Sequence, residues 1–142
     1  WLRPLIVVAV ETAMRRGEIL GARWEDLSKD ASTLRIPDTK TGVERTIPLT
    51  PQALEAIASL PATDDHIFPV SANAARLAWE RLKIEQSIED LRFHDLRHEA
   101  ISRFFERGLS IADVALISGH MDPRMLFRYT HLRAEDVAKK LQ

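Results

Sequence analysis

The hydrophobic period changes twice along this chain, and that change constrains the fold more than any other feature. In the first 22 residues the apolar positions recur at helical spacing. Thr33-Leu34-Arg35-Ile36 and Arg45-Thr46-Ile47-Pro48-Leu49 then alternate with a period of two, and Lys40-Thr41-Gly42 supplies a turn between them. From Thr50 onward the helical spacing returns and stays. Such a chain is expected to be mainly α with one small antiparallel β-sheet, an α+β arrangement. Pro48 has no N–H to give a ladder, so its strand is expected at an edge.

The helical segments have recognisable ends. Residues 2 to 14 read as a buried helix with Leu2, Leu5, Ile6, Ala9, Val10 and Ala13 on one face, and Glu18 to Ala22 as a shorter piece. Thr50 can cap a helix that begins at Pro51 and runs to about Leu60. Ser71 to about Gln86 places Ala74, Leu77, Ala78 and Leu82 together. Asp95 to Arg107 carries Leu96, Ala100, Ile101, Phe104 and Phe105, and Gly108 stops it. Ser110, with Asp113 three residues on, caps a helix to Ile117. Asp122 and Pro123 begin another that reaches Tyr129, and Arg133 to Leu141 is a last amphipathic piece.

At 142 residues the chain is expected to be one domain with one core. It has no cysteine, which excludes disulfides and thiolate chemistry. Twenty basic residues against twenty-one acidic ones give no net attraction to nucleic acid, so binding a polyanion requires the cations to gather on one face. No apolar run is long enough to span a membrane. The chain begins inside an apolar pattern, at Trp1, Leu2, Leu5 and Ile6, and is expected to be a piece of a longer protein.

His94 and Arg97 stand three apart, which puts an imidazole and a guanidinium on one helix face. A group that moves protons beside one that grips anions suits phosphate chemistry. Taken singly, an arginine is most often a surface or ion-pair residue, and a lone histidine most often has a structural partner. The order of several such groups is more specific. Thr12-Ala13-Met14-Arg15-Arg16-Gly17-Glu18-Ile19-Leu20 resembles the first arginine box of the tyrosine recombinases, the phage integrases and their relatives. Thr39-Lys40-Thr41-Gly42 with Arg45-Thr46-Ile47-Pro48-Leu49 is similar to that family's lysine hairpin. His94-Asp95-Leu96-Arg97-His98 resembles its histidine-arginine box. Ile117-Ser118-Gly119-His120, nine residues before Tyr129, resembles its nucleophile box. The resemblance covers nearly the whole chain.

It implies a site-specific DNA recombinase or integrase catalytic domain spanning 1–142, with the family's upstream DNA-binding domain outside it. Tyr129 would attack a phosphate and form a 3′-phosphotyrosine link. Arg15 and Arg97 would clamp the nonbridging oxygens, His120 would hydrogen-bond them, His94 would accept a proton and Lys40 would give one to the leaving 5′ oxygen. The ordinary reading of Lys40, a solvated turn lysine, competes with that role. Tyr129 is the sole tyrosine, so no other residue can take its role. Glu18, three residues after Arg15, is expected to orient an active-site cation. Ala13 stands where the family often has glycine, a change expected to be harmless in ordinary helical backbone.

The covalent link keeps the bond energy and the arginines carry the charge, so neither cofactor nor metal is expected. His94 and His98 have a metal-compatible spacing but no accompanying acid, and His98 is expected to be structural. The implied partner is double-stranded DNA, with a homotetramer on two DNA sites for the full-length protein, a monomer for this chain alone, and no membrane. The implied location is the cytoplasm, at the nucleoid of a bacterium or a phage-infected cell. Three other readings stay open: a type IB topoisomerase-like relaxing enzyme, a non-catalytic DNA-binding module and a helical protein-interaction domain. Leu109 to Ile117 with the Asp122 helix would be the reader in the second, with Arg124 and Arg128 as its basic residues.

Overall fold

The computed structural model describes residues 1–37 and 43–142. The described residues form seven α-helices and one two-stranded antiparallel sheet, which packs against α6. Helix α1 (Leu2–Thr12) leads through an extended Met14-Arg15 step into α2 (Arg16–Gly21). A 3₁₀ turn at Trp24–Asp26 precedes β1 (Thr33–Ile36) and β2 (Arg45–Pro48). Then come α3 (Pro51–Ala58), α4 (Ala72–Glu85), α5 (Asp95–Glu106) and α6 (Ile111–Ser118). A 3₁₀ segment (Pro123–Tyr129) and α7 (Ala134–Lys140) finish the chain. No helix among the described residues is long and apolar enough to cross a membrane.

The local signals that set helix starts act through hydrogen bonds. Thr50 Oγ1 accepts from the Ala53 N–H at 3.1 Å, and Ser71 Oγ from the Ala74 N–H at 3.0 Å. Ser110 and Asp113 exchange bonds of 3.1 and 2.9 Å, a complete capping box. The strands pair antiparallel with Leu34 opposite Ile47 and Ile36 opposite Arg45. Leu34, Ile36 and Ile47 face the core, as alternation requires.

Helix α1 packs between α3 and α5. Its buried face is Leu5, Val8, Ala9 and Thr12, and Ile6 and Val10 lie only partly covered. The expected face is therefore turned toward Val8. Buried Glu11 accounts for the shift: it accepts from Thr50 Oγ1 at 2.7 Å and lies 3.7 and 3.5 Å from Arg103 and Arg107. A polar side chain faces inward because the start of α3 and the end of α5 supply its partners. In α4 the buried residues are Ala75 and Trp79, while Leu77 is exposed. The larger indole, edge-on to Phe93 at 5.4 Å, sets the inner face in place of Leu77.

Two further expectations are corrected. Residues 123–129 form 3₁₀ rather than α structure, too short and too irregular for a DNA-reading helix. Ala13 is not in ordinary helical backbone. It ends α1 in the left-handed region at φ 56°, where glycine is the comfortable residue.

Candidate active site

The chain's turns at three helix ends bring the site together. Ala13 terminates α1 in a left-handed turn and leaves its carbonyl without a helical donor. Gly119 terminates α6 at φ 77° and likewise frees the Ser118 carbonyl. Arg97, on the first turn of α5, reaches both. Its Nη1 donates to Ala13 O at 2.5 Å and its Nη2 to Ser118 O at 2.9 Å. Arg97 is only 4% exposed and meets no carboxylate hydrogen bond among the described residues. Burial, then the neighbouring charge of Arg15, lowers its pKa to about 10. It stays charged at neutral pH and is held rigid, with its donors spaced for an anion.

Arg15 stands at the start of α2, and its N–H donates to Glu18 Oε1 at 2.9 Å. Its guanidinium lies 3.8 Å from the same carboxylate. The tight partner of Glu18 is instead Arg45 on β2, at 2.5 and 3.1 Å through two nitrogens. Burial acts to raise the Glu18 pKa, but the Arg45 bond, the Arg15 N–H and both positive charges outweigh it and leave it lowered. Arg45 Nε also donates to Ile117 O at 3.0 Å. A Cβ on Gly119 would sit 3.1 Å from the Arg45 guanidinium, so glycine serves there twice, for its φ and for this approach. Arg45 thus ties the hairpin to α2 and to the end of α6. Sequence spacing could not reveal a pair 27 residues apart, although a bulky cation in an alternating strand was visible.

His94 and Arg97 line one cleft of about 370 Å³, together with Met14, Arg16, Gly17 and Arg92. Burial, then His98, Arg97 and Arg15, pushes the His94 pKa below its usual value. His120 follows the Gly119 turn, and Ser118 Oγ lies 2.6 Å from its Nδ1. Burial and the charges of Arg97, Arg15, Arg128 and Arg45 hold His120 at a pKa of about 4. It is therefore neutral at physiological pH and offers one N–H as a donor.

Tyr129 ends the 3₁₀ segment and stacks on Phe105 at 6.5 Å. A phenolate there would act on Arg97 as a stabilising charge. Its hydroxyl touches His98 Nδ1 and accepts from Arg128 Nη2 at 2.8 Å. His98, expected to be structural, is thus the histidine that touches the Tyr129 hydroxyl. Arg128 was visible only as a basic residue of a reading helix. Arg15, His94, His120 and Tyr129 each lie within electrostatic reach of Arg97. Lys40 lies outside the described residues. Among the described residues no three His, Cys, Asp or Glu side chains group as a metal site.

The phage integrase family's sequence profile matches residues 1–136. The chain belongs to the phage integrase family. The shufflon-specific DNA recombinase of Escherichia coli is 46% identical over 136 residues, 94% of this chain and 35% of that protein. A putative integrase/recombinase of Haemophilus influenzae is 34% identical across 85% of this chain and 40% of its own length. The chain thus spans about a third to two fifths of these relatives. Among solved structures, the catalytic domain of bacteriophage HP1 integrase superposes with a TM-score of 0.77 at 22% identity, covering 97% of this chain and 79% of that one. The Tn1549 transposon integrase, in complex with a circular intermediate DNA, gives 0.79 at 18% identity, covering 97% and 56%. The fold is that of an integrase catalytic domain.

Proposed function

We propose that this chain is the catalytic part of a site-specific DNA recombinase, cutting and rejoining strands through a 3′-phosphotyrosine link. The observation that carries this reading is Arg97: a buried, rigid guanidinium with Arg15, His94, His120 and Tyr129 all within its electrostatic reach. A phosphodiester is the substrate class that such a cluster suits. Arg15 and Arg97 hold its nonbridging oxygens and stabilise the charge that attack adds. Neutral His120 donates to the same group. Tyr129 gives up its phenol proton to a neighbouring histidine as its Oη attacks phosphorus, the bond to the 5′ oxygen breaks, and that oxygen leaves as a hydroxyl with a proton from Lys40. A 5′ hydroxyl from a partner strand reverses the step. Glu18 holds Arg45 and the α2 start in place, so that Arg15 is presented correctly. The DNA partner and a tetramer on two sites are carried over from the family, as is the DNA-binding region outside this chain. The neutral composition suits a half-clamp that works beside such a region.

The test is covalent capture. The full-length protein is mixed with a library of nicked random duplexes, and adducts that survive detergent are sequenced. Adducts mapped to Tyr129 and absent in Tyr129→Phe are expected. No adduct, or one at another residue, would sink the reading. Circle products that need no second duplex would favour the relaxing enzyme.

A further inference from the structure

Two side chains meet at the hydroxyl of Tyr129. Its oxygen lies against His98 Nδ1, and Arg128 Nη2 donates to it at 2.8 Å. The same Nη2 is 3.3 Å from His98 Nδ1, and the guanidinium carbon lies 4.8 Å from the Tyr129 ring centroid. Hydrogen-bond arithmetic assigns the protons. Arginine can only donate. The phenol oxygen therefore accepts from Arg128, and among the described residues its own hydrogen has one acceptor within reach, His98 Nδ1. A ring nitrogen that accepts here carries no hydrogen, so the neutral His98 ring bears it on Nε2.

We propose that His98, rather than His94, takes the phenol proton of Tyr129, while Arg128 steadies the phenolate that forms. The proposal rests on the reading of Tyr129 as nucleophile. In the step, the O–H bond of Tyr129 breaks and its proton goes to His98 Nδ1. The freed electron pair forms the bond to phosphorus, and the 5′ oxygen leaves with the Lys40 proton. In rejoining, the proton returns from His98 to the tyrosine. His94 occupies a different place. It lines the cleft with Arg97, edge-on to His98 at 5.2 Å, and among the described residues no hydrogen bond joins it to Tyr129.

The charged neighbours favour this direction. His98 faces His94, Asp95 and Arg97 from its own helix and Arg128 and Tyr129 from the 3₁₀ segment. Phe105, stacked on Tyr129, brings no charge. Burial, then Arg128, keeps the imidazole below its ordinary pKa, with Arg97 adding to this and Asp95 opposing. His98 is thus an unprotonated acceptor at pH 7. The imidazolium formed by the transfer sits beside two arginines, which speeds the proton's return when the strand is resealed.

The experiment uses the full-length protein and a nicked duplex recovered by the wild type in the capture above. Adduct formation is timed for wild type, His98→Gln, His94→Gln and Tyr129→Phe from pH 7 to 9. Wild-type adduct with none from Tyr129→Phe establishes the nucleophile first, so the two readings fail separately. His98→Gln keeps the contact but cannot take a proton. Its rate is expected to fall by about 10²–10⁴-fold at pH 7 and to climb ~10-fold per pH unit as hydroxide replaces the base, while the wild type stays flat. A His98→Gln defect that is the same at every pH, or no defect, overturns the proposal. So does a hydroxide-dependent rate in His94→Gln instead. Ring ¹⁵N spectra of the unaltered chain give a second measurement: His98 should carry its hydrogen on Nε2 at pH 7, and an Nδ1–H ring overturns the assignment.

Discussion

Arg97 and Tyr129 face the same chemistry from opposite kinds of structure. Arg97 is nearly inaccessible, with its guanidinium bonded to carbonyls from two other helix ends. Tyr129 hangs on a 3₁₀ segment in which only Leu126 is buried, followed by α7, which buries nothing. Met121, Met125, Phe127 and Leu132 around it are exposed. The proposed phosphate clamp is thus part of the core, while the proposed nucleophile is attached to a segment the core scarcely holds. Charge stabilisation gains from rigid donors, because rearrangement during the reaction would cost energy. A nucleophile that must reach phosphorus, and then release it, gains less from being fixed.

The largest expected effect tests the claim that the clamp is a piece of the core. Glu18→Ala strands the buried Arg45 guanidinium, and removing one partner of a buried pair costs about 3–5 kcal/mol. Urea unfolding should record that loss, and a change below ~1 kcal/mol would break the comparison. Next, Arg97→Ala leaves the Ala13 and Ser118 carbonyls without donors. Charged hydrogen bonds contribute about 1.5–3 kcal/mol each, set against the relief of a buried charge, so a net loss of about 2–3 kcal/mol is expected. Tyr129→Phe, by contrast, should cost under about 1 kcal/mol while abolishing the covalent adduct.

Acid should weaken both sides, since His98 beside Tyr129 shifts in the same direction as His94 and His120. His120 and His94 have folded pKa values below their unfolded ones, so the unfolded chain binds protons more readily as pH falls. Their contribution is complete above about pH 6.5 and is lost between there and pH 4, the folded value for His120. The melting temperature should fall across that window, and His120→Gln should flatten part of the slope. Inorganic phosphate should act in the opposite sense at pH 7. It offsets the repulsion between Arg15 and Arg97, so it should raise the melting temperature of wild type by a few degrees and leave Arg15→Gln nearly unchanged. The smallest effect sharpens the other side: removing residues 132–142 should shift stability by less than about 1 kcal/mol, since no residue of α7 is buried.

Local chemistry was readable wherever the partners lie close in sequence. The caps at Thr50, Ser110 and Asp122 and the alternation of both strands each depend on neighbours within a few residues. The inward faces of α1 and α4 were less so, because Glu11 and Trp79 are placed by partners on other elements. In the site, the order of boxes carried Arg15, His94, Arg97, His120 and Tyr129. The partnership of Glu18 with Arg45, and the meeting of His98 and Arg128 on one hydroxyl, had no such signal.

By itself the sequence determined the helix and strand periods, the turns at Gly108 and Gly119, and the set of side chains proposed to work on a phosphate. Those follow from backbone preference and side-chain chemistry, which act within a few residues. Only the tertiary structure decided that Arg97 spans two helix ends, that Ala13 bends left-handed to offer it a carbonyl, and that His98 rather than His94 meets the tyrosine. Each of these joins groups 21 to 84 residues apart, and such distances are closed only when the core packs.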